Sequence, residues 1–187
     1  MAFVKKHFGQ EMDRMPGWAF RGMSLIFSIR DRFFPVDSLL EKFPITEGMT
    51  VVDYGCGPGS YIKLASRLVG AWGMVYAVDV HELAVAAIEK RVRQEGLGNV
   101  RPVLAQKDRC PVEDEAADLV WALDMFHMVS RPKEFLQELN RITKPGGLLY
   151  IDDGHQPRKN SKEKIVESGA WAIEEETAKF MKCIPVK

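Results

Sequence analysis

Short apolar runs alternate along this chain with stretches of helical periodicity. Val51-Val52 leads into Asp53, and Met74-Val75-Tyr76-Ala77-Val78 ends in Asp79. Val100 to Ala105, Leu119 to Leu123 and Leu148 to Ile151 follow as the third, fourth and fifth runs. Between them, Tyr61, Leu64, Ala65 and Leu68 fall at helical spacing, with Gly70 as a stop. Residues 82–95 place Val85, Ile88 and Val92 on one face, closed by Gly96. After the fourth run a helix turns Phe135, Leu136, Leu139 and Ile142 inward, and Pro145-Gly146-Gly147 breaks it before Leu148. Strands apolar on both faces and alternating with amphipathic helices predict a parallel sheet covered by helices on both sides. The ending departs from this rhythm. A short helix over 161–168 stops near Gly169, and two strands follow at 171–176 and 180–186. Their connection is too short for a helical crossover, so they should pair antiparallel.

The stretch Asp53-Tyr54-Gly55-Cys56-Gly57-Pro58-Gly59 carries the densest chemical information. A strand there enters a glycine-rich turn that leads into a helix, an arrangement that lets backbone approach a ligand closely. Dinucleotide turns space their glycines at the first, third and sixth positions. Here they stand at the first, third and fifth, with Asp53 two residues ahead. A carboxylate at that point would repel a pyrophosphate but suits a zwitterionic amino acid carrying a sulfonium. Asp79, 24 residues after Gly55 at the end of the second strand, is placed to accept hydrogen bonds from ribose hydroxyls. Nicotinamide enzymes use the same device, so Asp79 by itself points to ribose. His81 nearby could flank a purine or sit in a surface loop.

Composition narrows the classes. The 187 residues suit one domain with a sizeable core, and 26 basic side chains balance 26 acidic ones. Without a basic stripe, nucleic-acid binding is not expected. Cys56, Cys110 and Cys183 are scattered and odd in number, against a disulfide framework, and no paired spacing suggests a metal site. With no signal-peptide pattern at the start, a reducing, cytoplasmic setting is expected.

The glycine loop, Asp79, Asp118-Leu119-Val120, the turn Arg141-Ile142-Thr143-Lys144-Pro145-Gly146-Gly147 and the terminal hairpin together resemble the class I S-adenosylmethionine-dependent methyltransferases. The likeness is to the UbiE-like, type 11 group and covers residues 36–187 nearly end to end. The resemblance implies an α/β, Rossmann-like, doubly wound sheet of seven strands in the order 3-2-1-4-5-7-6, with strand 7 antiparallel. It implies S-adenosyl-L-methionine as cofactor, S-adenosyl-L-homocysteine as product and a small-molecule acceptor. Asp53, Tyr54, Gly55, Cys56, Gly57, Gly59 and Tyr61 would cradle methionine and ribose, with Asp79 on the ribose hydroxyls and Val80 and Leu123 beside them. Gln106, Lys107 or Asp108 would border adenine. The family's acid stands four residues before a Leu-Pro pair; that position here is Gln106, and Asp108 falls two residues later. By the same likeness His127, with an ordinary pKa of about 6.5, is a candidate general base after the fourth strand. Asp124 would orient it or cap its turn, and His155 is a second histidine on the same sheet edge. A non-catalytic S-adenosylmethionine-binding protein and a nicotinamide-dependent reductase are the rival classes. Asp124-Met125-Phe126-His127 lacks the Asn/Asp-Pro-Pro-Tyr of adenine and glutamine methylases.

Residues 1–35 read as a helical cap preceding the domain at 36–187. Six basic and three acidic side chains lie within residues 1–34. From Pro16 to Phe34, Trp18, Leu25, Ile29 and Phe33 fall on one face, and Phe20, Met23, Phe27 and Phe34 on nearly the opposite one. A helix apolar on two sides needs two partners, here the domain's helical layer and either substrate or a lipid surface. Residues 16–34 are too short and too rich in arginine to span a bilayer, leaving weak membrane-surface contact as the expectation. As a lid over the reaction site the segment would favour an apolar or amphipathic acceptor. Its deletion (residues 1–30) should then abolish turnover while cofactor binding remains measurable.

Overall fold

A computed structural model describes residues 15–33, 37–106 and 109–187. Lys107, Asp108 and Phe34, and the side chains of Ile29 and Phe33, lie outside the described residues. Among the described residues, the chain forms helices α1 (Gly17–Phe33), α2 (Asp37–Leu40), α3 (Ile62–Val69), α4 (Glu82–Glu95), α5 (Pro132–Ile142) and α6 (Arg158–Ser168). The strands are β1 (Thr50–Tyr54), β2 (Met74–Asp79), β3 (Val100–Leu104), β4 (Ala117–Ala122), β5 (Thr143–Ile151), β6 (Trp171–Glu176) and β7 (Met181–Pro185). They make one seven-stranded sheet in the order β3-β2-β1-β4-β5-β7-β6. All neighbours are parallel except those of β7, which runs antiparallel to both β5 and β6. This is the expected α/β architecture.

The central strands are buried on both faces, which is why they read as unbroken apolar runs. One core layer joins Val52, Val120, Leu149 and Ile151 to Phe135, Leu136 and Leu139 of α5 and to Ile165 of α6. The other joins Val51, Leu119 and Trp121 to Ile62, Ala65 and Val69 of α3 and to Ile88 of α4. All four residues expected inward on α5 are buried.

Two local expectations are corrected. Pro145-Gly146-Gly147 lies within β5, because pairing with β4 begins at Ala117 beside Thr143 and resumes at Leu119 beside Leu148. Three extra β5 residues are accommodated as an irregularity, pinned where Lys144 Nζ meets Asp118 Oδ1 at 2.6 Å. The other oxygen of Asp118 accepts from the amide of Thr50, so this charged pair also fixes the start of β1. The last helix begins at Arg158, three residues before position 161, where Pro157 starts it with an extended backbone and Arg158 Nε binds both oxygens of Asp153.

Of the two apolar faces expected of α1, the described side chains show part of each. Phe20 is buried, Met23 and Phe27 are half-buried, and Trp18, Leu25 and Ile26 face outward, Trp18 being 72% exposed. No helix among the described residues is long and apolar enough to cross a membrane.

Candidate active site

The carboxyl ends of β1, β2 and β4 open on one cavity, and α1 lies along its rim. Asp53, Tyr54, Gly55, Cys56, Gly57, Ser60 and Tyr61 line it from the glycine loop, and Asp79, Val80 and His81 line it from the end of β2. The loop after β4 adds Leu123, Asp124, Met125 and Met128, and Phe20, Met23, Phe27 and Arg30 reach in from α1.

The glycine loop is held by the end of β2. Gly55 and Cys56 both donate their amides to the carbonyl of Val78, at 2.8 and 3.0 Å. Asp79 takes the Gly57 amide on Oδ2 at 2.9 Å and the His81 amide on Oδ1 at 2.8 Å. A carboxylate offers about four acceptor positions, so Asp79 fixes the loop and still has lone pairs to offer a diol in the cavity. Burial raises its carboxyl above the ordinary range, and the Gly57 and His81 amides pull it part of the way back.

Asp53 is 2% exposed, and its Oδ2 is buried without a hydrogen-bond partner. Burial pushes its carboxyl up to about 8; Trp121 offsets part of that, and the charge of Asp79 adds to it. Trp121 stands beside Asp53 on the neighbouring strand. A buried, unpartnered carboxylate on a cavity wall is costly unless a cation or donor reaches it. Gly57 supplies the complementary feature. It is buried with φ +50°, yet a Cβ built there would find nothing within 4 Å. The space in front of this backbone belongs to the cavity. Gly55, at φ +82°, is packed instead: its Cβ would come within 2.8 Å of Met125.

Asp124 holds a left-handed backbone (φ +59°), a conformation few non-glycine residues adopt, aspartate and asparagine more readily than most. Both oxygens of Asp152 hold the Asp124 amide, at 2.9 and 3.0 Å, and Oδ1 also takes the Gly154 amide. Burial and the neighbouring Asp124 carboxylate raise the Asp152 carboxyl to about 6. The Asp124 side chain turns to Arg30 across the cavity, at 3.3 Å.

The two remaining histidine candidates lie together behind this loop, beyond the residues that line the cavity. His127 and His155 meet edge to face with centroids 4.8 Å apart. His127 Nδ1 is buried without a partner, tight against Gly154. Burial, reinforced by His155, holds the His127 imidazole below its ordinary pKa and so neutral near pH 7. His127→Ala is expected to leave the cofactor dissociation constant within about threefold of wild type, checked by calorimetry; a larger change would place the ring in the cavity.

Other expected positions sort clearly. Gln106 is exposed and forms a tight bridge with Arg109, away from the cavity lining. Gly59 packs beneath the loop, where its Cβ would meet Ile88. The Cys56 thiol is buried and driven well above its ordinary pKa, which leaves it protonated and inert. Tyr61 lines the cavity with its hydroxyl held protonated by burial and by the Asp124 charge. His81 is a buried helix cap rather than a surface-loop residue: Nδ1 accepts from the Leu83 amide at 3.1 Å, and Nε2 faces the Met15 carbonyl at 3.1 Å. That pairing fixes the Nε2–H tautomer. Phe20 stacks on the ring at 4.5 Å, so His81 ties the start of α4 to α1. Arg30 and Met128 were not expected in the site, whereas Met23 lies on a face of the expected lid and Met125 in the expected reaction loop. A histidine just before Glu82-Leu83, in the cap position, was the available signal for His81; Met128 offered none.

Comparison with known proteins places this arrangement. A methyltransferase-domain family model matches residues 52–151, more than half of the chain. Demethylmenaquinone methyltransferase of Geobacillus kaustophilus (strain HTA426) is 27% identical over 135 residues, 72% of this chain and 58% of that protein. Methyltransferase GfsG of Streptomyces halstedii is 35% identical over 119 residues, 63% of this chain and 42% of that protein. The chain thus spans about half the length of these curated relatives. Among solved structures, a SAM-dependent methyltransferase from Aquifex aeolicus superposes with a TM-score of 0.81 at 27% identity. The match covers 92% of this chain and 100% of that one.

Proposed function

We propose, for a chain that belongs to the methyltransferase-domain family and to the class I S-adenosylmethionine-dependent methyltransferases, that it methylates a small apolar or amphipathic acceptor in the cavity beneath α1. The observation that carries this reading is the pairing of two features on one wall: the buried, unpartnered Oδ2 of Asp53 and the open space before Gly57. Together they fit a ligand with a cationic amino-acid portion laid against bare backbone. S-adenosylmethionine, when bound, supplies a methyl group on a sulfonium, which a nucleophile takes by in-line displacement.

The chain's own contribution is binding and positioning. Asp53 faces the positive charge, Asp79 offers acceptors to the ribose, and the amides it fixes keep the loop in shape. On the other side Phe20, Met23, Phe27, Met125 and Met128 form an adaptable apolar wall. Methionine fills irregular space and tolerates varied ligands, which favours an apolar acceptor over a strongly polar one. Relatives named for menaquinone and ubiquinone biosynthesis support the same choice. Where the acceptor must lose a proton, Asp124 is the carboxylate that the loop after β4 brings to the cavity, and His127, packed against His155, lies next to that loop. Residues 1–35 act as the cap, with α1 excluding water from the transfer.

The test is a screen for S-adenosylhomocysteine release over thiols, phenols, quinols and amines, each with and without an apolar substituent. Release with apolar phenols or quinols, at least about tenfold above their polar counterparts, is the expected result. Cofactor binding with no release for any acceptor would leave the chain a non-catalytic binding protein.

A further inference from the structure

The charges around the cavity are lopsided. Asp53, Asp79 and Asp124 line it, whereas Arg30 is the only lysine or arginine side chain among its described lining residues. Arg30 comes from α1 and reaches two groups on the opposite wall, Asp124 Oδ2 and Ser60 Oγ, each at 3.3 Å. Its guanidinium lies 4.3 Å above the ring of Phe27, which steadies the plane of the fork. Both contacts are long for a charged hydrogen bond, whose usual range is about 2.7–2.9 Å. Arg158 and Asp153 in this same protein meet at 2.7 Å. The Asp124 side chain is also 49% exposed, so water competes for this pair and its net worth is small.

We infer that Arg30 binds the α-carboxylate of the cofactor's amino-acid portion, exchanging its loose contact with Asp124 for one with the ligand. This rests on the cofactor reading above. That portion carries an ammonium, a sulfonium and one carboxylate. Two positive charges match the aspartates, but a carboxylate entering a cavity walled by three of them needs a cation at its own end. A planar guanidinium is the group whose donors match a carboxylate, and Arg30 brings it to the glycine loop beside Ser60. Because Arg30 belongs to α1, the contact also draws the cap onto the strand ends when cofactor binds. Asp124 is released from its partner at the same moment, in the loop that borders the acceptor side.

The experiment uses the full chain and two ligands that differ only in this carboxylate, S-adenosylmethionine and decarboxylated S-adenosylmethionine. Calorimetry is run on wild type, Arg30→Met and Arg30→Lys. Wild type should prefer the carboxylated ligand by about tenfold or more, the worth of one charged hydrogen bond. Arg30→Met should keep less than about a twofold preference, with Arg30→Lys between them. Each preference is a ratio within one protein, so a general loosening of α1 cancels. Hydrogen exchange in α1 should slow with S-adenosylmethionine and much less with the decarboxylated ligand. No preference in wild type, or a preference that persists undiminished in Arg30→Met, overturns the inference while leaving the cofactor reading intact. If Arg30→Met binds neither ligand, Arg30→Lys decides: a retained preference supports the role, and tight binding without preference refutes it. Failure of wild type to bind either ligand would overturn the cofactor reading itself and this inference with it.

Discussion

Asp53→Asn is expected to weaken S-adenosylmethionine binding at pH 7.5 by about a hundredfold, the scale set by removing one member of a buried charge pair. The variant should also lose most of the pH dependence of that binding. In the free protein the Asp53 carboxyl sits at about 8 because it is buried without a partner. A cationic ligand therefore has to take the place of a proton. Between pH 5.5 and 7, where the ligand's own ammonium stays largely protonated, affinity in the wild type should rise with pH by up to about tenfold per unit. The slope left in Asp53→Asn measures Asp79 and Asp152, whose carboxyls are also raised.

Stability runs the other way. An unfolded aspartate titrates near 3.9, so from about pH 4 to about pH 8 the folded chain holds a proton that the unfolded chain has released. Folding stability contributed by protonated Asp53 is complete below the unfolded value and is lost as pH rises through the folded one. Asp53→Asn should flatten this decline, seen as a melting temperature that falls less between pH 6 and 8.5 than in wild type. A steep wild-type slope in binding that survives in the variant would remove Asp53 from the site.

Gly57→Ala is the second large effect, and it separates binding from folding. The added methyl meets no atom within 4 Å in the free protein, and φ +50° lies in the left-handed region, so the cost to stability should be about 1 kcal/mol. The same methyl would occupy the space against which a ligand must lie, and binding should weaken by about tenfold to a hundredfold. Gly55→Ala makes the contrast. Its methyl would come within 2.8 Å of Met125 at φ +82°, so it should lose stability together with affinity. Thermal melts and calorimetry on the pair would show the difference; equal affinity in Gly57→Ala and wild type would mean that the cradle lies elsewhere.

The sheet was readable because its rules are local. Apolar runs on both faces demand cover on both sides, and a connection as short as residues 177–180 can only return antiparallel. Asp53, Asp79 and the glycines were readable for a similar reason, since each sits at a strand end where the chain must turn. What escaped depends on segments distant in sequence. Arg30 meets Asp124 across 94 positions, and no periodicity announces that meeting. His81 is buried because Phe20 covers it, and α1 reaches it from outside the alternating pattern. Pro145-Gly146-Gly147 has the composition of a turn, yet the neighbouring strand and the Lys144–Asp118 pair keep it in the sheet. His127 stands at the expected loop but faces His155, because the turn over Phe126–Met128 directs Met125 and Met128, rather than the imidazole, into the cavity.

Trp121, fully buried and one strand away from Asp53, gives the protein an optical probe at the site. Of its four tryptophans, Trp18 and Trp72 are open to water, whereas Trp121 and Trp171 are buried. The Trp171 indole is already committed to the Leu136 carbonyl. An indole beside a carboxyl that changes charge should alter its emission as that charge appears. A near-ultraviolet titration followed in single-tryptophan variants would then read the ionisation of Asp53 directly, before any ligand or label is added.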